Sequence, residues 1–570
     1  MRISTAILWI LTFNLFSSCS QSNEDSLFKI YFNGDIITME GDSPAYEEAI
    51  VESEGIIVFV GSELEANKRF KNASRIDLQG KTLLPGFIDG HSHLSHGFNS
   101  VIQANVSVPP VGKVIDFNSL IETLKRFQQE QQIDEGEWLM GYGYDPSGLK
   151  ENKHITKVEL DAAFPNHKVM LVHVSGHGAV LNSLALEWAG IDENTETPHG
   201  GVIARMEGSS EPAGLLFETA FLPVFSKMPK PSEQEMLDML DEVQLIYSSE
   251  GYTHAQDGAA HVNEYLLLKK ASEQNRLYID IASLALFTEL DEWMSPEFTF
   301  GEYEGHLKLQ GVKFAMDGSP QGKTAHMTKP YLTGGPNGEE DWYGSPFLPF
   351  GMFSNLVKQV ADKKIQIFVH TNGDAAIDNL IQVVKSLNLT AEDDHRTVAV
   401  HSQFQRPDHL PEYKSLGISP TYFTNHTFFW GDEHITNQGL ERASFISPLK
   451  TADNHGVIFS NHSDYSVTPT NALFIIWTAM NRITRSGTVL GENEKVNAYT
   501  ALKGLTTGPA YQVFEEHRKG MLKEGLLADF VILDKNPLKT EIDQIKEITI
   551  LETIKEGQTI YKKTTVANNG

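Results

Sequence analysis

His91 and His93 close the run Leu83-Leu-Pro-Gly-Phe-Ile-Asp-Gly-His-Ser-His93. Residues two apart on a strand project to one face, and two imidazoles side by side can hold one metal ion. The same arrangement, a polar residue closing an apolar run, recurs along the chain. Lys313 lies in Gly311-Val-Lys-Phe-Ala315, with Asp317 just beyond. His370 ends the run 365–370, His401 ends 397–401, and Asn461-His-Ser-Asp464 follows the run 456–460. A bare His-x-His is short enough to arise by chance in a loop; six such residues at corresponding strand ends are a far stronger signal. Four imidazoles and a carboxylate suit zinc or another first-row divalent ion. An ammonium group among them would repel a cation. Lys313 fits if its amine has taken up carbon dioxide to form a carbamate, an anionic oxygen ligand able to bridge two ions; desolvation favours the neutral amine that reacts.

Strands must bring these residues together from positions hundreds of residues apart. Eight strand candidates, 83–93, 251–256, 277–286, 306–315, 365–370, 397–401, 418–423 and 456–460, alternate with helix-forming stretches such as 375–386. That pattern predicts an α/β fold, a (β/α)8 TIM barrel, whose functional residues collect at the C-terminal ends of its strands. A long excursion after the first strand, about 105–229, contains a strand at 169–174 and reads as a lobe inserted over the site. Helical periodicity resumes at 232–249, with Ser232 as N-cap and Glu235 completing a capping box. At the N-terminal end, 27–37 alternates with a hairpin signal at Asn33-Gly34, and 49–61 turns at Gly55. Matching apolar runs at 526–533 and 548–561 predict that both chain ends pair into one small β-sandwich domain, 27–82 with 520–565, flanking a barrel at 83–519.

Composition narrows the function. The 570 residues carry a formal net charge of −29, which argues against nucleic acid as a partner and against a polybasic contact with lipid. The one cysteine, Cys19, rules out an intrachain disulfide. Arg2, an apolar run at 5–16 too short to span a bilayer, and Phe16-Ser-Ser-Cys19 before a polar segment read as a lipoprotein-type signal peptide, 1–18. The expectation is an exported, bacterial cell-envelope lipoprotein, periplasmic or outer-membrane anchored, touching the membrane only through a lipid on Cys19. Self-association into a homo-oligomer is left open.

The opening Leu-Pro-Gly-Phe-Ile-Asp-Gly-His-Ser-His motif resembles that of the amidohydrolase superfamily. Val312-Lys-Phe-Ala-Met-Asp-Gly-Ser319 with Thr324-Ala325, Trp138-Leu-Met-Gly-Tyr-Gly-Tyr-Asp145, Ser175-Gly-His177 with Asn182-Ser183, Val369-His-Thr-Asn-Gly-Asp374 and Ser463-Asp464 resemble its YtcJ-like subgroup, the amidohydrolase 3 family. The resemblance runs from about Phe28 to Tyr561. It implies a carbamylated Lys313 bridging two ions, His91 and His93 on one, His370 and His401 on the other, and Asp464 beside the first. Three positions depart from the subgroup's pattern. The loop after the lysine strand reads Asp317-Gly-Ser-Pro-Gln-Gly322, His462 stands where a glycine is usual, and Ser466 where a proline is.

The reaction expected is hydrolysis of a non-peptide C–N bond, in an amide, N-acyl or cyclic amide small molecule, by metal-activated water. Asp464 is the candidate to take the proton and pass it to the leaving amine. His177, in the lobe, is the candidate for stabilising oxyanion charge. Tyr142, Tyr144 and Asp145 are candidates to shape the pocket, Asp317 to orient Lys313 or contact substrate, and His426 and Trp430 to line the mouth. Competing readings are an ester hydrolase, decarboxylase or isomerase on the same barrel, or a non-catalytic small-molecule-binding lipoprotein.

Overall fold

A computed structural model describes residues 27–564 apart from 110, 175–177, 199–200, 230 and 337–338. The signal-peptide reading, its Cys19 anchor and the His177 oxyanion role therefore fall outside the described residues. Eight strands run parallel in one sheet: β1 (Phe87–Ile88), β2 (Tyr252–Ala260), β3 (Asp280–Leu286), β4 (Leu307–Ala315), β5 (Gln366–Thr371), β6 (Thr397–His401), β7 (Ile418–Tyr422) and β8 (Ser460–Asn461). Helices such as Val262–Glu273, Phe350–Asp362, Asp374–Ser386 and His409–Leu416 lie between them. This is the curled parallel sheet of a TIM-like barrel. Because helices cover one face and side chains fill the other, its strands are buried on both sides and read as apolar runs.

The loops beyond the last and first strands meet through side chains as well as backbone. The Ser463 hydroxyl and backbone N–H donate to Asp89 at 2.5 and 3.1 Å, and the Asp464 N–H donates to the His91 carbonyl at 3.1 Å. Gly90 permits this approach: a Cβ there would lie 2.3 Å from Ser460 Oγ.

Strand alternation decides which side chains enter the barrel. Phe368, Val398 and Val400 cluster with Leu284 inside it, while Ile367, Val369 and Ala399 join the helix-facing core. His370 follows the inward face of Phe368. Lys313 is aimed by a bulge. The register steps from Ser283↔Leu309 to Leu284↔Gly311, so one extra residue in β4 changes the parity and turns Lys313 inward beside Leu286. His401 would follow Ala399 outward, but its φ of 66° turns it back over the barrel mouth.

The two chain ends join in one mixed, eight-stranded sheet. Its path runs Gln558–Lys562, Ile550–Lys555, Phe530–Leu533, Thr82–Pro85, Phe28–Ile37, Tyr46–Ser53 and Ile56–Gly61, with Ser74–Asp77 paired to Phe28–Ile37. The hairpin expected at Asn33-Gly34 is instead an irregularity inside one ten-residue strand, with the register shifting between Phe32 and Ile36. Gly34 is pinned there because a Cβ would meet the Lys81 carbonyl at 2.4 Å. The Gly55 turn forms, with Glu54 and Gly55 both at positive φ, as a two-residue hairpin loop requires.

Two barrel strands differ from expectation. The run 83–93 divides: Thr82–Pro85 pairs in the terminal sheet and only Phe87–Ile88 in the barrel, so His91 and His93 sit in the loop beyond β1 rather than on it. β8 begins at Ser460 instead of Gly456, since Gly456 (φ 66°) caps the helix Leu449–His455. The lobe carries a six-stranded sheet, ordered Gly201–Arg205, Pro212–Glu218, Gly178–Leu181, Lys168–His173, Trp138–Tyr144 and Ala104–Asn105.

At the opposite end of the barrel from the histidines, Asp280 at the start of β3 accepts from Lys519, from Lys555 at 3.1 Å and from His306 at 2.7 Å. Lys555 in turn pairs with Asp529 at 3.1 Å. This buried network ties the barrel floor to the terminal sheet. Asp280, His306 and Glu556 lie close enough to hold a cation, but the two ammonium groups already fill that role.

Candidate metal centre

The loop after β1 and the ends of β4, β5, β6 and β8 bring His91, His93, Lys313, His370, His401 and Asp464 into the wall of one cavity of about 320 Å³. Asp464 Oδ1 lies 3.4 Å from His93 Nε2 and 3.8 Å from His91 Nε2. Lys313 Nζ donates to His91 Nε2 at 2.7 Å. Across the cavity, His401 Nε2 and His370 Nδ1 face each other at 3.1 Å. Two ligands on a tetrahedral zinc, each 2.0–2.1 Å from the ion, are about 3.3 Å apart, so these nitrogen and oxygen spacings fit a shared ion. The donor set is imidazole and carboxylate, as a divalent first-row metal requires.

The distal ring nitrogens are held too. His91 Nδ1 donates to Gln256 Oε1 at 2.7 Å, which fixes the tautomer and leaves Nε2 as a lone-pair donor. Gly258 leaves room for that ring: a Cβ would lie 2.2 Å from His91 Cε1. His370 Nε2 lies 2.9 Å from the Asn372 side-chain amide nitrogen and 3.3 Å from the Gly318 carbonyl. His401 and Asp464 both adopt positive φ, 66° and 51°, the kind of backbone outlier that concentrates at functional sites.

Electrostatics keep the donors in ligating form. Burial pulls His370 down to about 4, helped by Lys313, and desolvation holds His91 and His401 well below the usual histidine range. Burial opposes ionisation of Asp464, but His401 and the hydrogen bond from His93 hold the carboxyl well below the usual carboxylate range. Burial lowers the Lys313 amine to about 7, against the opposing charge of Asp464.

The other predicted site residues part company. His426 lines the cavity, its Nδ1 3.0 Å from His434 Nε2. Trp430 packs 4.5 Å from the His426 ring and is not among the residues lining the cavity. Asp317, expected to meet Lys313 or substrate, is buried in a loop junction. It accepts backbone N–H groups of Asn372, Gly373 and His326 at 2.7–2.9 Å, and burial raises its carboxyl to about 7. Three backbone donors claim it, so it pins the β4 and β5 loops together. Tyr142, expected to shape the pocket, faces a neighbouring groove with Ser100, Glu242 and Tyr465. Asp145 follows the lobe strand Trp138–Tyr144, where its charge acts on His154; it does not line the cavity. Tyr144 is a lobe core residue, its hydroxyl accepting from the Ile155 N–H.

Sequence reasoning passed over three residues that matter here. Asp89 lies inside the opening motif, between two glycine-flanked turns, and its tie to Ser463 joins the loops carrying His91 and Asp464. Gln256 ends an expected strand and could have been read as a strand-end polar residue. His462 was visible only as a departure from the usual glycine.

A model of the amidohydrolase family matches residues 75–561. The chain belongs to the amidohydrolase family. YtcJ of Bacillus subtilis (strain 168), named as an amidohydrolase, is 26% identical over 550 residues, covering 94% of this chain and 99% of the relative. The N-substituted formamide deformylase of Arthrobacter pascens is 25% identical over 541 residues, covering 91% of this chain and 95% of that enzyme. In fold, an uncharacterized metal-dependent hydrolase from Pyrococcus furiosus superposes with a TM-score of 0.71 at 22% identity, over 90% of this chain and 100% of that one. Family and donor set together make this amidohydrolase-family protein a metal-dependent hydrolase.

Proposed function

We propose that the protein hydrolyses the C–N bond of a small amide, with an N-substituted formamide as the first class to test. The observation that carries this is the placement of Asp464 Oδ1 within 3.4 and 3.8 Å of the two imidazoles of His93 and His91, at the wall of a cavity that also presents Lys313, His370 and His401. A relative's activity on N-substituted formamides supports the choice of substrate class. The cavity supports an amide over an ester. Leu286, Pro320 and Val467 offer an apolar wall for an N-substituent, and the lining residues Gln321 and Asn372 each hold a buried amide oxygen with no hydrogen-bond partner. An amide N–H is the donor such acceptors need; an ester leaves both unmatched.

His91, His93, His370 and His401 would hold divalent metal, zinc foremost, and Lys313, as a carbamate, would add an anionic oxygen ligand to it. A bound divalent ion supplies water that ionises near neutral pH and a Lewis acid for the substrate carbonyl. The neutral amine of Lys313, which burial favours, would add its nitrogen to carbon dioxide: a C–N bond forms, one C=O π bond opens to give the carboxylate, and one N–H proton leaves to solvent. Asp464 takes the proton of the attacking water and delivers it to the amine nitrogen as the C–N bond breaks, releasing an amine and a carboxylic acid.

The test is Asp464→Asn on purified protein with N-substituted formamides, following formate release and metal content together. Turnover falls at least about 100-fold, the low end for loss of a proton-transfer group, while metal content holds at half the wild-type value or more. Full activity in that variant removes the role, and no amide hydrolysis by the metal-loaded wild type across formamides, N-acyl amino acids and cyclic amides removes the reaction.

A further inference from the structure

His462 is the fifth imidazole of this cluster, and the family reading leaves it without a task. Its ring is fully buried and 5.1 Å from that of His401 and 5.4 Å from that of His91. It is not free to turn. Phe423 stacks on it at 4.7 Å and 26°, and its backbone N–H donates to the Tyr422 carbonyl at 3.0 Å. The held ring presents Nε2 to His401 Nδ1 at 3.3 Å.

The neighbouring ligands show what that contact does. His91 turns one nitrogen toward the cavity and gives the other to Gln256 Oε1. His370 turns Nδ1 toward His401 and Nε2 toward the Gly318 carbonyl. His401 turns Nε2 toward His370 and Nδ1 toward His462. At His91 an amide oxygen accepts the distal ring N–H; at His370 the distal nitrogen lies 2.9 Å from the Asn372 amide nitrogen and 3.3 Å from the Gly318 carbonyl; at His401 an imidazole nitrogen occupies the distal place.

We infer that His462 is a positioning residue of the metal centre, whose Nε2 accepts the Nδ1–H of His401 and so fixes the tautomer in which His401 Nε2 faces the metal. Ligand-orienting hydrogen bonds of this kind are worth about 10–100-fold in metal affinity.

The inference rests on the metal-centre reading, and the experiment separates the two. Metal-stripped full-length protein, wild type, His462→Leu and His462→Gln, is titrated with zinc against a chromophoric chelator, and the visible spectrum of each cobalt-loaded form is recorded. Glutamine places an amide oxygen near the Nε2 position; leucine keeps bulk without an acceptor. Leucine is expected to weaken binding at one of the sites by about 10–100-fold and to shift the cobalt bands. Glutamine is expected to stay within about threefold of wild type, with bands unmoved. Equal losses in both variants, loss of one equivalent of metal in both, or no loss in leucine would each overturn the role. Should the leucine variant fail to fold, glutamine decides alone: a tenfold loss contradicts the inference. A wild type that binds no metal would instead overturn the centre itself.

Discussion

The proposed chemistry turns on one amine. Burial depresses Lys313, bringing it to about 7 against the opposing charge of Asp464, whereas an exposed lysine near 10.4 is neutral to less than about 0.1% at pH 7. A lowered lysine pKa means that the folded chain releases its proton as pH rises through about 7, and only the released form attacks carbon dioxide. In metal-free protein at fixed dissolved carbon dioxide, the initial rate of carbon-13 carbamate formation on Lys313 is therefore expected to rise about tenfold between pH 6 and 8. Carbon-13 NMR with Lys313→Ala as control reads this directly. Labelling that stays flat over that interval, or begins only above pH 9, contradicts the assignment.

At the scale of elements, the centre depends on how short β1 and β8 are held. Asp89 and Ser463 hold the loops beyond them, while the far end of the barrel is held by Asp280, Lys519 and Lys555 against the terminal sheet. Asp280 is 1% exposed, so Asp280→Asn leaves two buried ammonium groups short of their counter-charge and is expected to cost about 3–5 kcal/mol of stability. Asp362→Asn, breaking the exposed pair with Lys358, should cost about 0.5 kcal/mol or less. Urea unfolding of both variants compares them; similar small losses would show that the floor network does not hold the two sheets together.

At the scale of the molecule, the barrel was legible because parallel strands covered on both faces spell apolar runs. His370 and Lys313 stood out as polar ends of such runs. The division of 83–93 between two sheets was not legible, because Pro85 and Gly86 interrupt the run without saying which strand each half will pair with. Nor was the use of Asp317, Tyr142 and Asp145: each ends or follows a strand, but loop paths crossing the barrel mouth decide whether such a side chain meets the cavity, a loop backbone or a neighbouring groove. His401 shows the reverse case, a residue that alternation would send outward and a positive φ brings back. His462 looked isolated because its partners, His401 and Phe423, come from β6 and the end of β7, distant in sequence and adjacent only once the barrel closes.

Six side chains from across the chain are proposed to form one centre for metal. Anomalous diffraction at the zinc edge, on crystals of the zinc-loaded full-length protein, tests it most directly. Two peaks per chain are expected, one between His91 and His93, the other between His370 and His401, with density joining both to Lys313. Peaks elsewhere, or none at a protein concentration and zinc excess that saturate binding, would contradict it.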